Sequence, residues 1–252
     1  MQLYSFIAIG VLECTKEQLS KLSHEVEGLS AVSANMHHVS PKLLLSATDF
    51  DGQLSCPGSL RSGDIYTHTF HPYPSTIIDP ASRLIFQDVH DARRKGVLFD
   101  VGHGKGSFSW TVAEICAEEN FWPDIISSDL HSGNLKGPAY DLPTVMSKML
   151  HVGMALYEVF RAATVSPAAA IGRGNTLGTL SSGCIADVAV FVLKDVNIQL
   201  EDCQGRLREI KQLLVPVAVW REGRKYHVTK PDPFPDPNST TAKDPLWLKA
   251  VI

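Results

Sequence analysis

Residues 97–106 read VLFDVGHGKG: a short apolar run carrying one aspartate, then a turn-forming stretch in which His103 stands between two glycines. Apolar side chains on both faces of so short a run mark a strand buried on both sides, as in a parallel sheet covered by helices. Working outward supports this. Upstream, DIYTHTF (64–70) reads as a strand and DVHDARRKG (88–96) as a helix closed by Gly96. Downstream, TVAEICAEEN (111–120) reads as a helix opened by a Thr111–Glu114 capping box, and PDIISSD (123–129) repeats the strand. Short apolar strands alternating with amphipathic helices predict βα units and a parallel sheet.

Farther out, LYSFIAIGVL (3–12) predicts a buried strand, and TKEQLSKLSHEVEG (15–28) a helix with Thr15 and Gln18 as its capping box. LLLSAT (43–48) suits a strand, and DFDGQLSCPGSLRSGD (49–64), dense in turn formers, a surface loop. Past Asp129 the pattern becomes helical: LPTVMSKMLHVGM (142–154), LYEVFRAAT (156–164), then PAAAIG capped by Ser166. From Leu177 it is β again, with WREGRK (220–225) as a hairpin turn, and the proline-rich tail PDPFPDPNST (231–240) predicts an extended end. The domain division expected is 1–175 for a partial (β/α) barrel, 176–230 for a small β-domain and 231–252 for the tail.

The composition narrows the function classes. The 252 residues, 44% hydrophobic and 20% charged with a net charge of −4, suit a soluble globular protein and give no basic stripe for nucleic acid. The opening apolar run is too short for a membrane span and lacks a leader's basic flank and cleavage site. Five widely spaced cysteines, none in a CxxC pair, suit reduced thiols and a cytoplasmic setting. Gly102, Gly104 and Gly106 match neither the P-loop nor the dinucleotide pattern.

Polar, metal-capable side chains stand where the apolar strands end. His68, His103 and Asp129 are separated by 35 and 26 residues, close to one βα unit each time. The carboxyl ends of parallel strands share one face, so these three are expected to converge. Imidazole and carboxylate are the ligands a divalent ion such as zinc prefers, and an open coordination position would hold a water to be activated. Taken singly, a histidine at a strand end is more often a hydrogen-bonding residue, and an aspartate before a loop is often a helix cap. His71 and His131 lie on the same loops and are expected beside a metal or substrate, and Tyr140 on a covering loop. His24, His37, His38, His90, His151 and His227 are read as structural or solvated.

The strings RSGDIYTHTFH, ARRKGVLFDVGHGKGSFSW, PDIISSDLHSGNLKGPAYDLPTVMSKMLHVGM, AATVSPAAAIG and GTLSSGCIADVAVF, between about Leu60 and Leu193, resemble the deacetylase-type, dihydroorotase-like proteins of the amidohydrolase superfamily. The resemblance implies a (β/α) barrel with a small β-domain, one or two divalent metals, and hydrolysis of a carbon–nitrogen (non-peptide) or acyl bond of a small acylated substrate. It further implies that His68 and His103 bind metal and that Asp129 binds metal and acts as general base. The family's HxH pair and bridging lysine have no match here; Lys42 opens its apolar run rather than ending it. A full barrel of about 250 residues exceeds the chain before the terminal sheet, so the α/β fold expected is an incomplete TIM-type barrel, N-terminally truncated. The open edges of such a barrel suggest a homo-oligomer or a partner chain, and an alternative function as an inactive interaction or regulatory protein.

Overall fold

The computed structural model describes residues 44–46, 58, 60–74 and 76–228. The predicted strand at 3–12, the helix at 15–28, Lys42, His24, His37, His38 and the tail from 231 lie outside the described residues.

The stretch around Phe99 is the centre of a parallel sheet. β1 (Leu44–Ser46), β2 (Ile65–Thr67) and β3 (Leu98–Phe99) pair in that order, all parallel, with Ile65 opposite both Leu44 and Leu98. The order extends one step beyond β3 through a parallel bridge between Asp100 and Ile125. Hydrogen bonds from Val101 N to Ile125 O and from His103 N to Ser127 O continue the pairing toward Asp129. All these strands run the same way, so their carboxyl ends deliver Thr67–His68, Val101–His103 and Ser127–Asp129 to one rim.

Helix α1 (Gln87–Lys95) links β2 to β3 and ends as expected at Gly96, whose φ of 98° supplies the left-handed turn. A Cβ there would lie 2.6 Å from Ser62 Oγ. Helix α2 (Trp110–Glu118) departs from expectation at its start. Thr111 lies inside the helix, the N-cap is Ser109, and Ser109 makes no side-chain cap bond. The first-turn amide of Trp110 instead donates to Asp202 Oδ2 at 3.1 Å. The two residues of the supposed capping box serve the terminal sheet: Thr111 Oγ1 accepts from Arg206, and Glu114 receives a two-pronged contact from Arg208 at 2.6 and 2.9 Å.

Three helices follow: α3 (Leu142–His151), α4 (Leu156–Ala163) and α5 (Val165–Ala170). Asp141 caps α3 by accepting from Thr144 N at 2.7 Å, with Pro143 in the first turn. Ser166 is a helical residue of α5, and Thr164 takes the cap position. The terminal sheet is antiparallel in the order β4 (Val188–Glu201), β5 (Leu207–Arg221), β6 (Arg224–Tyr226). Its last turn is the predicted hairpin: Glu222 and Gly223 have φ of 50° and 76°, as a two-residue primed turn requires.

One apolar cluster spans both sheets, running from Leu60, Phe70 and Phe99 through Trp110 and Met149 to Leu200, Ile210 and Leu214. Polar contacts fasten the terminal sheet at its base: Trp110 Nε1 donates to Leu200 O at 3.2 Å, and Leu214 N to Ser147 Oγ at 2.9 Å. Among the described residues no helix is long and apolar enough to cross a membrane.

Candidate active site

The rim formed by the carboxyl ends of the strands carries two residues in a backbone state that side chains rarely adopt. His68 has φ 61° and Asp129 φ 44°. Both ordinarily prefer negative φ, and such strain persists only where the surroundings enforce it, often at functional sites. The turn brings the two side chains face to face, with His68 Nε2 4.0 Å from Asp129 Oδ2.

Glycines make this approach possible. Gly104 has φ 53°, and a Cβ on it would lie 2.8 Å from Asp129 Oδ2. Gly102 has φ 47°, and a Cβ there would collide with Thr67 Oγ1 and lie 2.7 Å from His68 Nδ1. Gly106 has no heavy atom within 4 Å of such a position, so the third glycine of the motif is not needed for closeness. The string GHG thus passes between His68 and Asp129 as bare backbone on either side of His103.

The hydrogen bonds fix the tautomer of His68. Its Nδ1 lies 2.5 Å from Gly102 O, and a carbonyl only accepts, so Nδ1 carries the proton. Nε2 faces the Asp129 carboxylate across 4.0 Å. Divalent ions bind imidazole nitrogen and carboxylate oxygen at about 2.0–2.2 Å, so His68 and Asp129 would take two positions of one tetrahedral ion after closing by about 0.6 Å.

His103 is oriented differently. Its Nδ1 donates to Gly104 O at 2.9 Å, and its Nε2 accepts from Lys148 Nζ at 2.9 Å. The ring is fully buried and stacks on Phe108 at 4.6 Å with 10° between planes. Burial, reinforced by the Lys148 charge, holds His103 well below the usual histidine range, so the ring is neutral. His68 and Asp129 face each other, while His103 turns its Nε2 to Lys148. Among the described residues no group of three histidine, cysteine or carboxylate side chains is placed to hold a metal.

Lys148 is the residue that sequence reading missed. It lies on α3 with no exposed surface, and its three N–H groups have three acceptors: His103 Nε2, Pro138 O at 2.8 Å and Glu201 O at 2.6 Å. Burial pushes its ammonium down to about 7, against the pull of Glu201 and Asp202. Beneath the rim, Asp100 Oδ2 accepts from Thr67 Oγ1 at 2.5 Å and Ser127 Oγ at 2.8 Å, while its buried Oδ1 has no hydrogen-bond partner among the described residues. Burial raises the Asp100 carboxyl to about 6.

The remaining expected residues take local roles. His71 Nδ1 lies 2.9 Å from Pro72 O. His131 Nδ1 accepts from Gly133 N at 3.1 Å, which folds that ring back on its own loop. Tyr140, also left-handed at φ 62°, donates its hydroxyl to Glu201 Oε1 at 2.9 Å, tying the loop to the terminal sheet. His90 pairs with Glu119 at 3.3 Å, and His151 packs edge-on against Trp110.

Comparison with known proteins agrees with this α/β fold. The profile of the amidohydrolase family matches residues 111–225. A crystal structure of an adenine deaminase superposes with a TM-score of 0.66 at 33% identity, over 68% of this chain and 46% of that one. A crystal structure of a dihydroorotase gives 0.60 at 31% identity, over 68% and 44%. The chain belongs to the amidohydrolase superfamily, with an α/β fold. Within it the chain is deacetylase-like: it is 34% identical to a deacetylase of Enterococcus faecalis over 66% of its length, and 35% identical to a deacetylase of Brucella anthropi over 62%. These alignments cover 45% and 39% of the two deacetylases, so the chain spans less than half the length of the relatives it matches.

Proposed function

We propose that the chain is a hydrolase of carbon–nitrogen bonds, acting on a small N-acylated substrate, with Asp129 as the group that takes the proton of the attacking water. The observation that carries this reading is the His68–Asp129 pair, held in left-handed backbone at the carboxyl ends of parallel strands with Nε2 and Oδ2 4.0 Å apart. The deacetylases among its relatives support the acyl specificity.

In the reaction the water oxygen bonds to the acyl carbon, Asp129 accepts the water proton, and the same proton passes to the leaving nitrogen as the C–N bond breaks. His68, with Nδ1 fixed on Gly102 O, keeps Nε2 aimed at Asp129. A divalent ion, with zinc the choice for mixed nitrogen and oxygen ligands, would be held by His68 and Asp129 and would supply Lewis acidity toward the acyl oxygen. A catalytic zinc takes three protein ligands, and among the described residues no group of three is gathered for it.

A second reading, favoured by the engagement of His103 with Lys148, is an inactive member of the family that serves as an interaction or regulatory protein, paired with a second copy or another chain. Incubating the full chain, with and without added zinc or manganese, with a panel of N-acetyl amino acids and acetyl esters separates the two. Release of free amine or acetate supports the hydrolase; a folded chain with no turnover under any of these conditions sinks it and leaves the second reading.

A further inference from the structure

His68 and His103 occupy matching places, one residue beyond Thr67 and Gly102 at the ends of neighbouring strands, and both protonate Nδ1 against a glycine carbonyl. Each therefore leaves Nε2 as its second nitrogen, and the partner of that nitrogen differs. His68 Nε2 faces a carboxylate oxygen, whereas His103 Nε2 already accepts a hydrogen bond from an ammonium at 2.9 Å.

We propose that Lys148 is the built-in cation of His103: its ammonium holds the Nε2 lone pair, closes that nitrogen to metal ions, and makes His103 a structural bridge rather than a ligand. Three features support the assignment. All three Lys148 donors are in use, on His103, Pro138 O and Glu201 O, so the ammonium has no spare hydrogen and no water-facing side. The ammonium sits 5.2 Å from the Phe108 ring centre and 5.3 Å from that of Trp110, and aromatic faces favour a cation there. The His103 ring is itself stacked on Phe108, so turning Nε2 toward Asp129 would break the stack and strand a buried charge. Through this one side chain the GHG turn, the loop at Pro138 and the end of β4 are fastened together.

The proposal differs from the hydrolase reading in what it requires, since a chain that turns nothing over would still show it. The test is a long-range ¹⁵N–¹H spectrum of the histidine-labelled full chain during titration with zinc ion alone, with His103 assigned through His103→Gln. In the parent chain the His103 Nε2 resonance stays in place throughout the titration. In Lys148→Met the lone pair is released and the same resonance shifts on zinc addition. Lys148→Gln, which keeps hydrogen bonds to the carbonyls and removes the charge, serves the same comparison if the methionine variant does not fold. A zinc-induced shift of His103 in the parent, or no shift in the folded variant, overturns the proposal.

Discussion

Asp100 offers the sharpest test of the electrostatics under the rim. Its carboxyl is buried at the end of β3 and raised from 3.8 to about 6, chiefly by loss of solvent, with Thr67 and Ser127 only partly compensating. A group whose folded pKa lies above its unfolded one holds its proton more tightly in the native state. Its contribution to stability is therefore full below pH 3.8, declines as pH rises toward 6, and is lost above that. A difference of about 2 pH units at 1.36 kcal/mol each makes the loss about 3 kcal/mol. Asp100→Asn keeps the shape and removes the titration. Urea unfolding of parent and variant at pH 4 and pH 8 then gives four free energies. The parent should lose about 2.4 kcal/mol more than Asp100→Asn between the two pH values, a little under the full amount because pH 4 already lies above the unfolded pKa, and all other titrating groups cancel in the difference. Equal pH dependence in the two proteins would show that the carboxylate is solvated or paired in the native state, and would refute the reasoning.

Gly104→Ala places a methyl group against Asp129 Oδ2 in left-handed backbone, and should cost roughly 1–2 kcal/mol in thermal melts while abolishing any turnover; Gly106→Ala, with open space around it, should change neither. Tyr140→Phe removes only the bond to Glu201, so it should lower unfolding free energy by about 1 kcal/mol and leave KM unchanged. The Arg208–Glu114 pair, a third exposed on each side, should show a coupling of at most about 1 kcal/mol in a double-mutant cycle, weakening with added salt.

The elements legible in the sequence are those whose causes are local. Gly96 ends α1 because a left-handed residue is required there, Glu222–Gly223 turns the hairpin, and the apolar run through Phe99 pairs in parallel. The glycines of GHG could be read as allowing a sharp turn, and His68 and Asp129 were placed at strand ends by spacing alone. What escaped has distant causes. The start of α2 looked like a capping box at Thr111, but its amide is satisfied by Asp202, 92 residues away. Lys148 reads as an ordinary polar position on an amphipathic helix; its three acceptors lie 45, 10 and 53 residues off, and two of them are backbone carbonyls that no residue identity reveals. Ring orientation is equally invisible to spacing, which is why His103 was grouped with His68.

The central claim is that Asp129, facing His68, handles the proton of hydrolysis. Turnover of an N-acetyl amino acid by the parent chain and by Asp129→Asn, with circular dichroism to confirm matching folds, tests it most directly. The account predicts measurable amine release by the parent and a loss of at least about a hundredfold in the variant. Equal turnover in both, or none in a folded parent, would contradict it.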